Sequence, residues 1–98
     1  MVKGKYKLFK SIMDDDQEIK EVDYDFEKLP SGSIRKATAE LMRINHMVVA
    51  PQNDSLLHAI LFGYAAGLNS QEVLRMHDKD IMNMGTISIT FFNDVSGE

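Results

Sequence analysis

Residues 54–68, DSLLHAILFGYAAGL, form the longest apolar segment with a helical period, and the rest of the chain takes its meaning from them. Leu56, Leu57, Ile60, Leu61, Tyr64, Ala65 and Leu68 follow an i, i+1, i+4, i+5 rhythm, which sets them on one broad face of a helix. Ala59, Phe62 and Ala66 line the other side. A surface helix carries one apolar stripe, so a helix that is apolar nearly all round is expected to be covered on two sides, by the chain's own elements or by a partner. Asn53 or Asp54 can cap its first turn, and Gly67 stands where a left-handed residue often ends a helix.

Outward from this segment, 98 residues make one domain with a single core. A hydrophobic share of 44% with 27% charged residues is ordinary for a globular chain. The net charge of −4 argues against a general electrostatic grip on nucleic acid or an anionic membrane. Charge is unevenly placed: residues 1–13 carry four lysines and no acid, whereas residues 14–27 carry eight acids and one lysine. With no cysteine there is neither a disulfide frame nor a thiolate metal site. No run approaches a membrane span, and the lysine-interrupted N-terminus lacks the apolar region of a secretion signal. A cytoplasmic location is expected.

Before the central segment, Lys5 to Ile12 alternates: Tyr6, Leu8 and Ile12 share one side, with Lys10 as the exception. Asp14-Asp15-Asp16-Gln17 reads as a turn. From Lys20 to Phe26 the alternation returns, Val22, Tyr24 and Phe26 opposing Glu21, Asp23 and Asp25, so residues 1–29 are expected to form a β-hairpin with Lys5 and Lys7 near the acidic row. Leu29-Pro30-Ser31-Gly32-Ser33 breaks the pattern and offers Ser31 and Ser33 as helix caps. Ile34, Ala37, Leu41 and Ile44 then recur at helical spacing through Asn45. Residues 46–54 connect to the central helix, with Val48 and Val49 tucked into the core.

After Leu68, Asn69-Ser70-Gln71-Glu72 has the form of a capping box and opens a short helix to about Met76. Residues 78–92 fit a helix through Ile81, Met84 and Phe91, yet Thr86 to Phe91 alternates and is β-branched as in a strand. The expectation adopted is a helix. The fold class is thus α+β, an N-terminal hairpin followed by three or four packed helices over residues 30–92, with a loose tail at 93–98. Its expected core includes Leu8, Tyr24, Phe26, Leu41, Leu57, Ile60, Leu61, Tyr64, Leu68 and Leu74.

No catalytic, cofactor-binding or metal-binding residues stand out. The Asp14–Glu18 run lacks the ligand spacing, central glycine and distal glutamate of a calcium loop. His77-Asp78-Lys79-Asp80 has the look of a metal-dependent phosphohydrolase motif without the further ligands such a site needs, and His46 and His58 show no sign of converging on it. The glycines form no phosphate-cradling loop. Gly63 to Met76 has the outline of a helix-turn-helix, but its second helix would carry one arginine and one glutamate, followed by Asp78 and Asp80, a poor match to phosphates. Seven methionines, among them Met42 and Met47, read either as core filling or as an adaptable binding surface. Phe62, Met76, Met82, Met84, Phe91 and Phe92 are the expected partner-binding residues, because so short a chain has little volume in which to bury them all.

Two stretches resemble the small tail assembly chaperones of long-tailed bacteriophages and prophages. They are Val22-Asp23-Tyr24-Asp25-Phe26-Glu27-Lys28-Leu29, and the pattern Ala59-Ile60-Leu61, Ala65-Ala66-Gly67-Leu68, Glu72-Val73-Leu74, Asp80-Ile81-Met82. The likeness spans about residues 20–92 and favours a helix for the last segment. Two departures stand against it: Ile81 occupies a position where phenylalanine is usual, and the last segment is richer in threonine and serine. The resemblance implies a non-enzymatic cytoplasmic factor with no cofactor, which binds the tape-measure protein and helps recruit tail-tube subunits during virion morphogenesis. Homo-oligomerisation is allowed. The alternatives are a helix-turn-helix DNA-binding regulator and a structural tail component.

Overall fold

The computed structural model describes residues 2–94. Two antiparallel strands, β1 (Lys3–Asp14) and β2 (Gln17–Asp25), are followed by a 3₁₀ turn at Phe26–Lys28 and four helices: α1 (Ser33–Met42), α2 (Ser55–Ala65), α3 (Ser70–Leu74) and α4 (Asp78–Phe92). The architecture is α+β, a hairpin with helices behind it, and the ambiguous last segment is a helix.

The hairpin reverses at Asp15, whose φ of 57° lies in the left-handed region that aspartate tolerates better than most residues. Pairing runs from Lys3↔Asp25 to Lys7↔Glu21 and resumes at Ile12↔Ile19, so β1 takes five residue steps where β2 takes two. Three extra residues therefore bulge from β1, and Lys10, the exception in the alternation, lies among them. The bulge is held by one buried side chain. The Asp80 carboxylate, in the first turn of α4, accepts hydrogen bonds from Phe9 N (2.7 Å), Lys10 N (3.1 Å) and the Tyr6 hydroxyl (2.7 Å). Lys5 pairs with Asp23 at 3.8 Å, but both side chains are mostly exposed, so the pair adds little.

Helix α2 is buried on all but a narrow strip, with α4 as its most extensive neighbour and α1, α3, β2 and the 3₁₀ turn completing the cover. Asp54 caps it by accepting from Leu57 N at 2.8 Å. Gly67, at φ 79°, follows its end. Two glycines allow close crossings: a Cβ on Gly63 would overlap Val73 Cγ2 of α3, and one on Gly85 would lie 2.7 Å from the Ser55 carbonyl oxygen. Asn69 and Glu72 form the expected capping box, each side chain accepting from the other's backbone N–H.

Leu8, Phe26, Leu41, Leu57, Ile60 and Leu61 are buried as expected, while Tyr24, Tyr64, Leu68 and Leu74 are partly buried. Several local expectations are corrected. Helix α1 stops at Met42, so Ile44 falls beyond it and is exposed, and Ile34 in its first turn is exposed too. Val49 is also outside, at 83% exposure, while Val48 packs partly against the core. Neither Ser31 nor Ser33 caps α1: Gly32 holds the N-cap position at φ 85°, and the Ser33 hydroxyl donates to the Pro30 carbonyl. Asn93 is not loose, since it follows α4 directly and its amide donates to the Gln52 carbonyl at 3.2 Å. Residues 95–98 of the expected tail lie outside the described residues.

Candidate functional site

The aromatic end of α4 creates the most distinctive apolar surface. Phe91 and Phe92, being successive helical residues, diverge by about 100°. Phe91 stacks on Phe26 with ring centroids 4.5 Å apart and planes within 7°. Phe92 meets Phe26 and His58 edge-on, at 6.2 and 5.5 Å, and remains 37% exposed. Ile34 of α1 flanks it. Together they separate two open depressions, one of about 560 Å³ reaching Leu29, Pro30 and Phe91, the other of about 270 Å³ reaching Pro51, Leu57 and Leu61. The result is an apolar groove between α1 and the end of α4.

His58 forms part of the floor. Its Nε2 lies 2.8 Å from the Pro51 carbonyl oxygen, which can only accept, so this nitrogen carries the proton. Nδ1 is then the acceptor for the Ser88 hydroxyl at 2.8 Å. The ring is neutral, and burial pushes its pKa below the ordinary histidine value, against the opposing effects of the Pro51 carbonyl and Asp54. An uncharged floor suits an apolar occupant. The adjoining connection is fixed by the same network: His46 Nε2 meets Asp54 Oδ2 at 2.9 Å, and Asn93 holds Gln52. Desolvation would raise the Asp54 carboxyl, but hydrogen bonds from Leu57 N and His46 outweigh it and hold the group low.

Of the six expected partner-binding residues, only Phe91 and Phe92 meet at this groove. Phe62 is fully buried against the rings of Tyr6, Tyr24 and Phe26. Met84 lies on the buried Asp80–Met84–Ser88 row of α4, and Met76 fills core space beyond α3. These three are therefore corrected from surface to core: the hairpin and α4 supply the second cover that α2 requires. Met82 is 55% exposed, but ten residues of helix, about 15 Å, separate it from Phe92. Ile34, Leu29 and Pro30 were not expected in a site. Ile34 looked like the first member of a core stripe, and only the position of α1 shows it facing the groove.

The helix-turn-helix outline corresponds to the α2–α3 corner. Arg75, the cation of the supposed recognition helix, donates through Nη2 to the Met13 carbonyl at 3.0 Å and lies beside Asp14. The carboxyl of Asp14 is raised by its hydrogen bond with Glu72, so acids crowd the surface that phosphates would approach.

Family models, curated proteins and solved structures give no match. Among the described residues no group of three or more His, Cys, Asp or Glu is arranged to hold a metal ion, and no helix is long and apolar enough to cross a membrane.

Proposed function

We propose that the protein is a non-catalytic assembly factor of the tail assembly chaperone kind, which holds an apolar segment of a long tail protein in the groove flanked by Ile34 and Phe92. The observation that carries this reading is the groove itself: exposed Ile34 and Phe92 above a neutral histidine floor, with depressions on either side. A groove of this kind suits the apolar face of an amphipathic helix, with residues at i and i+3 or i+4 entering the two depressions. Arg35 at the rim can orient an acidic flank of such a helix. The client is the tape-measure protein, with tail-tube subunits recruited afterwards in the cytoplasm of the bacterial host. The resemblance of residues 20–92 supports this choice of client.

Co-expression with the tape-measure protein tests the reading. Wild type is expected to keep the client soluble and to co-purify with it, whereas Ile34→Asp combined with Phe92→Asp, both at exposed positions, abolishes co-purification while far-UV circular dichroism stays unchanged. Undiminished co-purification by the double variant overturns the site. If the wild-type protein leaves client solubility untouched, the function itself is overturned.

A further inference from the structure

Away from the groove, the end of α1 gathers an imidazole and two thioethers around one cavity. Met42, His46 and Met47, with Thr38, Asn45 and Val48, line a pocket of about 310 Å³ that shares no residue with the depressions beside Phe92. No Lys, Arg, Asp or Glu lines it. The helix closes with paired backbone bonds, Asn45 N to the Met42 carbonyl at 3.1 Å and His46 N to the Leu41 carbonyl at 3.0 Å, around Asn45 at φ 63°. This is the Schellman arrangement, and it fixes the backbone of His46 against the last turn of α1.

The other end of the His46 side chain is fixed as well, because Nε2 lies 2.9 Å from Asp54 Oδ2. Asp54 is held low and therefore ionised, a carboxylate can only accept, and so Nε2 carries the proton. In the neutral ring the lone pair is then on Nδ1. A carboxylate behind one ring nitrogen is the usual partner of a metal-binding histidine, since it sets the tautomer and makes the ligating nitrogen more basic. Met42 and Met47 are 66% and 79% exposed, and their unbranched side chains can turn sulfur toward a common point. We propose that Met42 Sδ, Met47 Sδ and His46 Nδ1 bind one copper(I) ion in this pocket. Thioether sulfur selects a soft ion, whereas Mg²⁺ and Ca²⁺ need oxygen ligands and no carboxylate lines the pocket. Copper(I), with a filled d shell, imposes no geometry and accepts so few donors. Most of the donors are sulfur, so the site differs in kind from a cluster of His, Cys, Asp or Glu. The Asp54 charge behind the ring balances that of the ion. Because Asp54 also caps α2, a bound ion ties the end of α1 to the start of α2.

Silver(I), which shares the charge and donor preference of copper(I) and keeps its oxidation state in air, tests the site by methionine methyl NMR on the full chain with no client present. As it is added, the Met42 and Met47 methyl resonances are expected to move together and to stop at one equivalent, while those of Met13 and Met82, each 55% exposed, stay in place. Met42→Leu combined with Met47→Leu keeps the side-chain volume and removes both sulfurs. Its affinity for copper(I), measured anaerobically against a chromophoric chelator, is expected to fall by roughly tenfold or more, with far-UV circular dichroism unchanged. His46→Gln retains a donor toward Asp54 but lacks the imidazole nitrogen, and is expected to lose affinity likewise. The double methionine variant decides alone if His46→Gln loses helix. Methyl shifts of Met13 and Met82 in step with those of Met42 and Met47 are general contact of silver with exposed thioethers, and overturn the site. So does undiminished copper(I) affinity in the double methionine variant, or zinc(II) moving the two methyls as silver does.

Discussion

Asp80 shows how one residue can govern a distant element. Its carboxylate is fully buried, and its three partners on β1 are 70 to 74 residues away in sequence. Asp80→Ala would leave the Phe9 and Lys10 amides and the Tyr6 hydroxyl without their acceptor. The expected cost is roughly 2–5 kcal/mol, read as a lower urea midpoint. Little of this was legible. An acid in the first turn of a helix ordinarily reads as a complement to the helix dipole, and the only trace of the bulge was Lys10 standing where an apolar residue belonged. His58 gives a second prediction at this scale. Because burial holds its pKa below the unfolded value, the unfolded chain binds the additional proton first as pH falls. Stability is then fully present above about pH 6.5, the unperturbed histidine value, and declines as pH drops toward the lower folded value. His58→Gln is expected to flatten that part of a stability–pH profile, measured by urea unfolding at successive pH values.

Among the elements, α2 was read almost completely, because an all-round apolar helix has one physical meaning and its caps are local in sequence. Helix α4 was not decided by local preference. Its threonines and isoleucines fit a strand, yet Asp80, Met84, Gly85 and Ser88 are all buried at helical spacing, and contact with α2 outweighs the intrinsic bias. The stripe of α1 was overread, since Ile34 and Ile44 continue a helical rhythm that tertiary contact uses only at Ala37 and Leu41. Sequence gave no sign of which glycines mark crossings. Gly85→Ala would drive a methyl group into the fixed Ser55 carbonyl, costing about 1–3 kcal/mol from overpacking, against a gain of about 1 kcal/mol in helix propensity. A net loss of thermal stability is expected. At Gly63 the obstacle is a side chain, so Gly63→Ala is expected to be less damaging beside Val73→Ala than alone, a coupling that a double-mutant cycle measures.

For the molecule as a whole, the surplus of apolar residues was legible as a quantity but not as a location. Phe62, Met76 and Met84 close the core, while Ile34, Met42, Ile44, Met47 and Val49 stay outside. The difference is geometric: α2 is central, so whatever packs on it is buried, and the segment between α1 and α2 runs along the periphery. The groove at Phe92 could be foreseen only in part, because it needs the first turn of α1 beside the last turn of α4.

The separation of 71 residues between Phe9 and Asp80 also orders events in time. At about 5–20 residues per second on the ribosome, roughly 4–14 s pass between the synthesis of Phe9 and that of the carboxylate that anchors it. Both strands of the hairpin have been synthesised well before then, since they are adjacent in the chain. Throughout that interval Leu8 and Ile12, apolar and destined for the core, wait for a helix that has not yet been made.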